Sequence, residues 1–114
     1  MTPTPLTDAD YDARTDAVLA SIESTIDAWL DDDTIDIDQH RTGGLLELAF
    51  PDRSKIVVNT QPPLHEVWLA ARCGGFHYRC DAGRWLDTKG QGEFFAQLTQ
   101  DASAQTGMSL RFTA

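Results

Sequence analysis

The sequence predicts an α+β fold, a two-layer α/β sandwich in which two helices pack on one face of an antiparallel sheet. Three observations predict this class: a long helical pattern from residue 7, a run of short alternating segments, and a second helical pattern from residue 94. Short connections indicate antiparallel neighbours, and the two flanking helices must then share one face of the sheet. The 114 residues have the size of one domain, so we expect a single domain over 1–114, with residues 1–6 flexible.

Residues 7–31 are predicted to form one long amphipathic helix. Thr7, with Asp10 three residues later, is a variant of the capping box that begins helices. Apolar side chains recur at helical spacing at Tyr11, Val18, Ile22, Ile26 and Trp29. One face of the helix is therefore suited to a core, and another is left for polar residues.

Alternating segments predict six strands. The first covers 35–38, where Ile35 and Ile37 alternate with acidic residues. The others cover 45–50, 55–61, 66–72, 76–80 and 84–87. Glycine-rich stretches, including Thr42-Gly43-Gly44 and the break at Gly90-Gln91-Gly92, separate the elements.

The second helix begins at Phe94 and is predicted to stop at Gly107, a residue type that commonly ends helices. Residues 108–112 are too short for a firm assignment. They form either a final strand or an extended tail that lies on the helices.

Alternation along the third and fourth strands divides their side chains between the two faces of the sheet. The aliphatic residues belong on the face covered by the helices, which leaves Asn59, Gln61 and Trp68 on the uncovered face. A tryptophan exposed among amides indicates a binding interface, because an indole buries a large area and donates a hydrogen bond. A register shifted by one residue would instead bury Trp68. Trp85 is expected in the core.

Almost all of the net charge lies in the first third of the chain. Residues 1–38 hold eleven acidic residues and one basic residue, residues 39–114 hold seven acidic and eight basic residues, and the total is −9. Such a field attracts cations and basic surfaces and repels nucleic acid. The scattered basic residues form no nucleic-acid patch, so we expect no nucleic-acid partner.

Neither the apolar stretches nor the first residues indicate a membrane protein or an exported one. No apolar stretch approaches the roughly 20 residues that span a bilayer, and the start lacks the pattern of a signal peptide. We therefore expect no membrane partner and a cytoplasmic location. Cys73 and Cys80 lack the CxxC spacing of a metal motif, and we expect both to be reduced thiols.

Acidic residues follow one edge of the first helix and continue beyond it. Asp16 and Glu23, seven residues apart, have almost the same azimuth, and steps of four residues extend this edge of the helix before and after them. The set is Asp8, Asp12, Asp16, Glu23, Asp27 and Asp31 on the helix, Asp32 and Asp33 after it, and Asp36 and Asp38 on the outward side of the first predicted strand. If that strand packs beside the helix, the set forms one surface, which we call the acidic ridge.

The acidic ridge carries an electrostatic cost. Like charges four residues apart destabilise a helix by roughly 0.2–0.5 kcal/mol per pair, and acids at the negative end of the helix dipole cost about 0.3–1 kcal/mol each. A solvated polar face is one explanation. The regular spacing and the unfavourable placement instead favour a surface that binds positive charge.

Carboxylate oxygens suit hard cations such as Ca²⁺, Mg²⁺, Mn²⁺, Fe²⁺ and Fe³⁺. The glycine and glutamate of a calcium EF-hand loop are missing around 31–38, and the histidines and cysteines lack zinc-ligand spacing. No serine or cysteine stands in a catalytic pattern, and the sequence contains no phosphate-binding loop. We therefore expect a binding protein and not a conventional enzyme.

One run of the sequence is distinctive: Lys55-Ile56-Val57-Val58-Asn59-Thr60-Gln61-Pro62-Pro63-Leu64-His65-Glu66-Val67-Trp68-Leu69-Ala70, followed by Gly74-Gly75-Phe76-His77-Tyr78 and Trp85. It resembles the core signature of the frataxin family, and most closely that of the bacterial members. The similarity covers nearly the whole chain from about Asp8. It includes the acidic first helix and the aromatic pair Phe94 and Phe95 of the second helix.

This resemblance implies a protein of iron–sulfur cluster assembly that binds iron weakly, as Fe²⁺ or Fe³⁺, through the acidic ridge. Other divalent cations would bind the same surface. The implied partners are a cysteine desulfurase, whose basic patch meets the ridge, and the iron–sulfur scaffold protein. The implied partner-facing residues are Asn59, Gln61 and Trp68, with Glu23 and Asp27 on the helix. Ser24 and Ala28 stand where bacterial relatives often carry second acids, which implies weaker, single-carboxylate sites.

Two alternatives remain open at the level of the sequence. Within the family, the ridge would store iron or act as a ferroxidase, and the protein, otherwise expected to be a monomer, would oligomerise with iron. Outside the family, the chain would be an acidic interaction module, such as a DNA mimic, that needs no metal.

Overall fold

The computed structural model describes residues 6–90 and 92–114 and confirms the α+β sandwich. Helix α1 spans Asp8–Asp31 and helix α2 spans Phe94–Thr106. The strands are β1 Asp38–Thr42, β2 Leu45–Ala49, β3 Lys55–Gln61, β4 Glu66–Ala71, β5 Gly74–Asp81 and β6 Arg84–Asp87. Residues 1–5, which the sequence predicts to be flexible, lie outside the described residues, and so does Gln91 in the predicted glycine-rich break.

The six strands form one antiparallel sheet in chain order, each paired with the next. Both helices cover the same face of the sheet, where the aliphatic residues of β3 and β4 are buried against apolar residues of α1 and α2. The predicted register of these two strands is therefore confirmed. Trp85 is only 4% exposed, in agreement with the expected core position. Leu6 is partly buried against the same core.

The first predicted strand is wrong. Residues 35–37 belong to no strand, and β1 begins at Asp38. Ile37 is buried and Ile35 packs against the core, so the alternation there marks an extended segment that is anchored to the core. β1 itself is an edge strand without aliphatic residues, which apolar alternation could not have predicted.

The segment after α2 is an extended tail and not a final strand. Gly107 ends the helix with φ at 68°, a left-handed conformation that suits glycine. The amide of Leu110 donates to Ser103 Oγ at 3.1 Å, and the amide of Phe112 donates to Thr99 Oγ1 at 2.9 Å. Ser21 Oγ of α1 donates to the Thr113 carbonyl oxygen at 2.7 Å. The tail is thus hydrogen-bonded to both helices.

Within the described residues, neither helix combines the length and the apolar character that a membrane span needs. Cys73 and Cys80 are both free cysteines.

Candidate cation-binding and docking surfaces

The amino-terminal end of α1 begins as the sequence predicts. Thr7 Oγ1 accepts a hydrogen bond from the amide of Asp10 at 3.0 Å and caps the helix. Six turns later the helix ends at Asp31 with no basic residue in its last turn. The carboxylates at that end therefore lie near the negative pole of the helix dipole without a neighbouring cationic side chain on α1.

Edge strand β1 packs beside α1, but it brings nitrogen donors to the acidic ridge and not the predicted carboxylates. Gln39 Nε2 donates to Asp27 Oδ1 at 2.8 Å. Arg41 Nη1 lies 2.8 Å from Glu23 Oε1, and Arg41 Nη2 is hydrogen-bonded to Asp16. Asp38 is the first residue of β1, and alternation places its side chain on the other face of the strand from Gln39 and Arg41.

The ridge is thus divided into two parts by its partners. In the paired part, Asp16 and Glu23 contact Arg41 of β1, Asp27 contacts only the neutral amide of Gln39, and Asp8 Oδ1 lies 2.7 Å from His65 Nε2. Asp12, between Asp8 and Asp16 on the helix, is exposed and has no ion-pair partner among the described residues. The hydrogen bond to Asp16 is the main cause that raises the pKa of Arg41, and the contacts with Glu23 add to it against the opposing effect of burial. The guanidinium is therefore charged at all ordinary pH values.

The other part is the chain from the end of α1 to the start of β1, which we call the open end of the ridge. Its carboxylates are those of Asp31, Asp32, Asp33, Asp36 and Asp38, of which Asp38 lies on the other face of β1 from Gln39 and Arg41. All five residues are exposed, and none belongs to an ion pair within residues 6–90 and 92–114. Asp32 Oδ1 accepts hydrogen bonds from the amide and the hydroxyl of Thr34, at 3.0 and 2.5 Å. Asp33 has φ at 59°, so the chain turns sharply there.

The ridge carboxylates do not converge on one point. In the described part of the chain, no three side chains among histidine, cysteine, aspartate and glutamate come close enough together to hold a metal ion. A cation at the ridge would therefore have one or two protein carboxylates and complete its coordination with water. Sites of this kind are open and poorly selective.

The uncovered face of the sheet carries the predicted set of polar and aromatic residues. Asn59 on β3 lies opposite Trp68 on β4, and Trp68 lies opposite His77 on β5. The indole and imidazole rings stack, with centroids 4.1 Å apart and planes 7° apart. Asn59, Gln61 and Trp68 are all partly exposed, so the tryptophan is available on this face as expected.

A buried carboxylate beside this aromatic pair was not predicted. Glu66 is 4% exposed. Its Oε1 accepts from Trp68 Nε1 at 2.9 Å, its Oε2 accepts from Arg79 Nε at 2.8 Å, and His77 Nδ1 lies 3.9 Å away. Burial alone raises the pKa of Glu66, but the hydrogen bonds from Trp68 and Arg79 outweigh it and leave the pKa below its ordinary value.

The sequence contained a partial signal for this group. Glu66 precedes Trp68 by two positions and so shares its face, but its pairing with Arg79 depends on the register of β4 and β5, which alternation does not fix.

Tyr11 connects the beginning of α1 to the strands that carry this face. Its hydroxyl donates to the Glu66 carbonyl oxygen at 2.5 Å and accepts from the Gln61 amide at 2.9 Å. Its ring stacks on His65 with centroids 4.9 Å apart. Tyr11 therefore links the helix that carries the ridge to the two strands that carry the open sheet face.

The molecule is thus a small acidic α+β sandwich with a carboxylate ridge along its first helix and a tryptophan on its open sheet face. The sequence model of the frataxin-like domain matches residues 4–108. The chain belongs to the frataxin family, and the resemblance noted from its sequence is confirmed.

Curated relatives match over almost their whole length. The chain is 49% identical over 109 residues to the iron-sulfur cluster assembly protein CyaY of Paracidovorax citrulli (strain AAC00-1), covering 96% of this chain and 99% of that protein. It is 51% identical over 109 residues to the protein of the same name in Burkholderia mallei (strain SAVP1), covering 96% of this chain and 100% of that protein.

Solved structures agree with the fold. Frataxin from Psychromonas ingrahamii is 31% identical with a TM-score of 0.82, and the match covers 95% of this chain and 99% of that one. Yeast frataxin is 18% identical with a TM-score of 0.71, covering 90% of this chain and 92% of that one, and it shares the fold.

Proposed function

We propose that the protein acts in iron–sulfur cluster assembly as an iron-binding adaptor that contacts the cysteine desulfurase and its scaffold protein. Curated relatives at 49–51% identity, matched over nearly their full length, carry the name iron-sulfur cluster assembly protein. The observation that carries the chemistry is the open end of the ridge, where five exposed aspartates have no ion-pair partner among the described residues.

Iron is the proposed cargo of this surface. Carboxylate oxygens are suitable ligands for Fe²⁺ and Fe³⁺ as well as for Mg²⁺ and Mn²⁺. The negative end of the α1 dipole and the net charge of −9 add to the attraction of a cation. Because the carboxylates do not converge, we propose weak binding that delivers or senses iron, and not tight storage.

The proposed partner surface joins the ridge to the open sheet face. Asp27 and Glu23 would meet a basic patch by charge complementarity, Glu23 in competition with its ion pair to Arg41. Such complementarity raises the rate of association. Trp68, flanked by Asn59 and Gln61, would provide the apolar anchor that most interfaces need. A cytoplasmic location and a monomeric state without iron complete the proposal.

Titration of the ¹⁵N-labelled protein with Fe²⁺ under anaerobic conditions, followed by NMR with and without the desulfurase, tests both parts. We expect Fe²⁺ to broaden the amide signals of 31–38, and the desulfurase to broaden those of Asp27 and Trp68. The variant Asp36→Asn with Asp38→Asn should weaken iron binding, whereas Asp81→Asn, an exposed acid at the β5–β6 turn, serves as the matched control.

Two results would contradict the proposal. Fe²⁺ broadening that is unchanged in the Asp36→Asn, Asp38→Asn variant would move the iron site elsewhere. Rapid oxidation of Fe²⁺ in air with the growth of ferric particles would favour the storage or ferroxidase role instead.

A further inference from the structure

We propose that Arg41 is a built-in counterion that keeps Asp16 and Glu23 from binding iron, so that cations bind preferentially at the open end of the ridge. This inference rests on the proposed iron-binding function and specifies which ridge carboxylates bind the iron. Arg41 would then be a specificity-determining residue of the ridge and not only a surface ion pair.

The geometry of Arg41 supports this role. Asp16 and Glu23 are seven residues apart, which places them about two turns apart on the same edge of α1, and the two terminal nitrogens of one guanidinium contact both. The Arg41 side chain is 29% exposed, because it lies along the helix instead of extending into solvent. It also lines a small cleft of about 250 Å³ together with Asp12 and Asp16.

The position of Arg41 is fixed by the sheet. Arg41 pairs with Leu46 and Gln39 pairs with Leu48 in the β1–β2 ladder, and Leu46 and Leu48 are fully buried. Any shift of β1 along the helix would therefore break the ladder or move these leucines. The guanidinium stays tethered beside its two carboxylates, at an effective concentration on the order of millimolar or higher.

Competition between this tethered cation and a dissolved one decides the distribution of iron. An open site with one or two carboxylates binds divalent ions weakly, so a resident guanidinium competes effectively at Asp16 and Glu23. The open end has no such competitor among the described residues, and the helix dipole favours cations there. Asp8 and Asp12 lie at the opposite, positive end of the dipole, where the same effect disfavours cations.

Exposed ion pairs add little to stability, so the removal of Arg41 is expected to change cation binding much more than folding. Three variants of the full chain separate the causes. Arg41→Gln removes the charge from the ridge. Arg41→Lys keeps a charge but loses the two-pronged contact. Arg14→Gln makes the same change of net charge on an exposed residue of α1 that belongs to no ion pair in the described part of the chain.

Mn²⁺ titration followed by paramagnetic broadening of amide signals is the test. In the wild type we expect broadening at 31–38 and little at 16 and 23. In Arg41→Gln, broadening at 16 and 23 should appear with an apparent affinity about fivefold higher than in the wild type. Arg41→Lys should show a smaller gain, and Arg14→Gln should leave the distribution unchanged.

The inference and the function on which it rests fail in different ways. Equal broadening of 16 and 31–38 in the wild type, or an unchanged pattern in Arg41→Gln, would overturn the role of Arg41 and leave iron binding intact. A wild type with no broadening at 31–38 would overturn the proposed binding surface. In that case increased broadening of the amide signals of residues 16 and 23 in Arg41→Gln would still support the counterion role.

Discussion

Glu66 and the aspartates at the open end of the ridge show two opposite ways of placing carboxylates in one small domain. Glu66 is buried, and each of its oxygens accepts a hydrogen bond from a side chain, Trp68 or Arg79. The open-end aspartates are exposed and without ion-pair partners in the described residues. We expect the first arrangement to stabilise the fold. We expect the second to destabilise it and to leave charge available to a ligand.

The paired part of the ridge lies between these two cases. Asp16 and Glu23 are carboxylates of the same helix and the same edge as Asp31, yet Arg41 neutralises them from the neighbouring strand. The number of acids on a surface therefore does not measure its capacity for cations. That capacity depends on which acids the fold has left without a counterion.

Removal of the Glu66 carboxylate should have the largest effect on stability. Glu66→Ala should lower the free energy of unfolding by about 1–3 kcal/mol, because two hydrogen bonds to a charged group are lost. Urea denaturation measures the change. Glu66→Gln, which can still accept from Trp68 Nε1, should lose less. Equal stability of the wild type and Glu66→Ala would show that the buried group contributes nothing net.

Neutralisation of the open end should raise the free energy of unfolding, whereas Glu66→Ala lowers it. Asp31→Asn and Asp33→Asn should each raise the free energy of unfolding by about 0.3–1 kcal/mol, since they remove charge from the negative end of the helix dipole. Asparagine also accepts the left-handed backbone found at Asp33. Asp16→Asn is the matched control and should give no gain, because it removes a paired charge. Thermal melting that ranks these variants otherwise would refute the division of the ridge.

Asp52 is a third kind of carboxylate, and its contribution to stability should depend on pH in the acid range. Hydrogen bonds from the hydroxyl and amide of Ser54, and then from Arg72, lower the pKa of Asp52 from 3.8 to about 2. The folded pKa is depressed, so the stabilisation is present above pH 4 and is lost as the pH falls toward 2. The melting temperature of Asp52→Asn should therefore lie below that of the wild type at pH 5 and approach it at pH 2. A constant difference between the two across this range would contradict the assignment.

Salt should produce the smallest effect. Screening relieves repulsion among the open-end carboxylates, and a gain of a few tenths of a kcal/mol raises the melting temperature by roughly 1–2 °C for a domain of this size. Mg²⁺ at equal ionic strength should raise it further if the ridge binds cations. The Asp31→Asn, Asp33→Asn double variant should respond less than the wild type to both additions.

Local sequence patterns predicted most of this fold. Both helices follow from caps and apolar spacing. The faces of β3 and β4 follow from alternation, which places Trp68 on the face that the helices do not cover. These features depend on residues within a few positions of one another. The same locality explains why the acidic edge of α1 could be predicted from periodicity alone.

What the sequence did not predict depends on contacts between distant segments. Arg41 contacts carboxylates 18 and 25 positions earlier in the chain, and its strand has a polar sequence without an apolar alternation. Glu66 meets Arg79 only because β4 and β5 pair in one particular register. In both cases an acidic residue was visible in the sequence, but the partner that neutralises it was not.

The hydroxyl of Tyr11 has a consequence for how this molecule can be monitored. The backbone amide of Gln61 donates to that hydroxyl at 2.9 Å. The rate at which the Gln61 amide exchanges its hydrogen with deuterated solvent should therefore report on whether α1 is packed on the sheet. The exchange rates of amides inside the ladder report on the stability of the sheet itself. Protection of this one amide from exchange would then show that the helical layer is packed against the sheet.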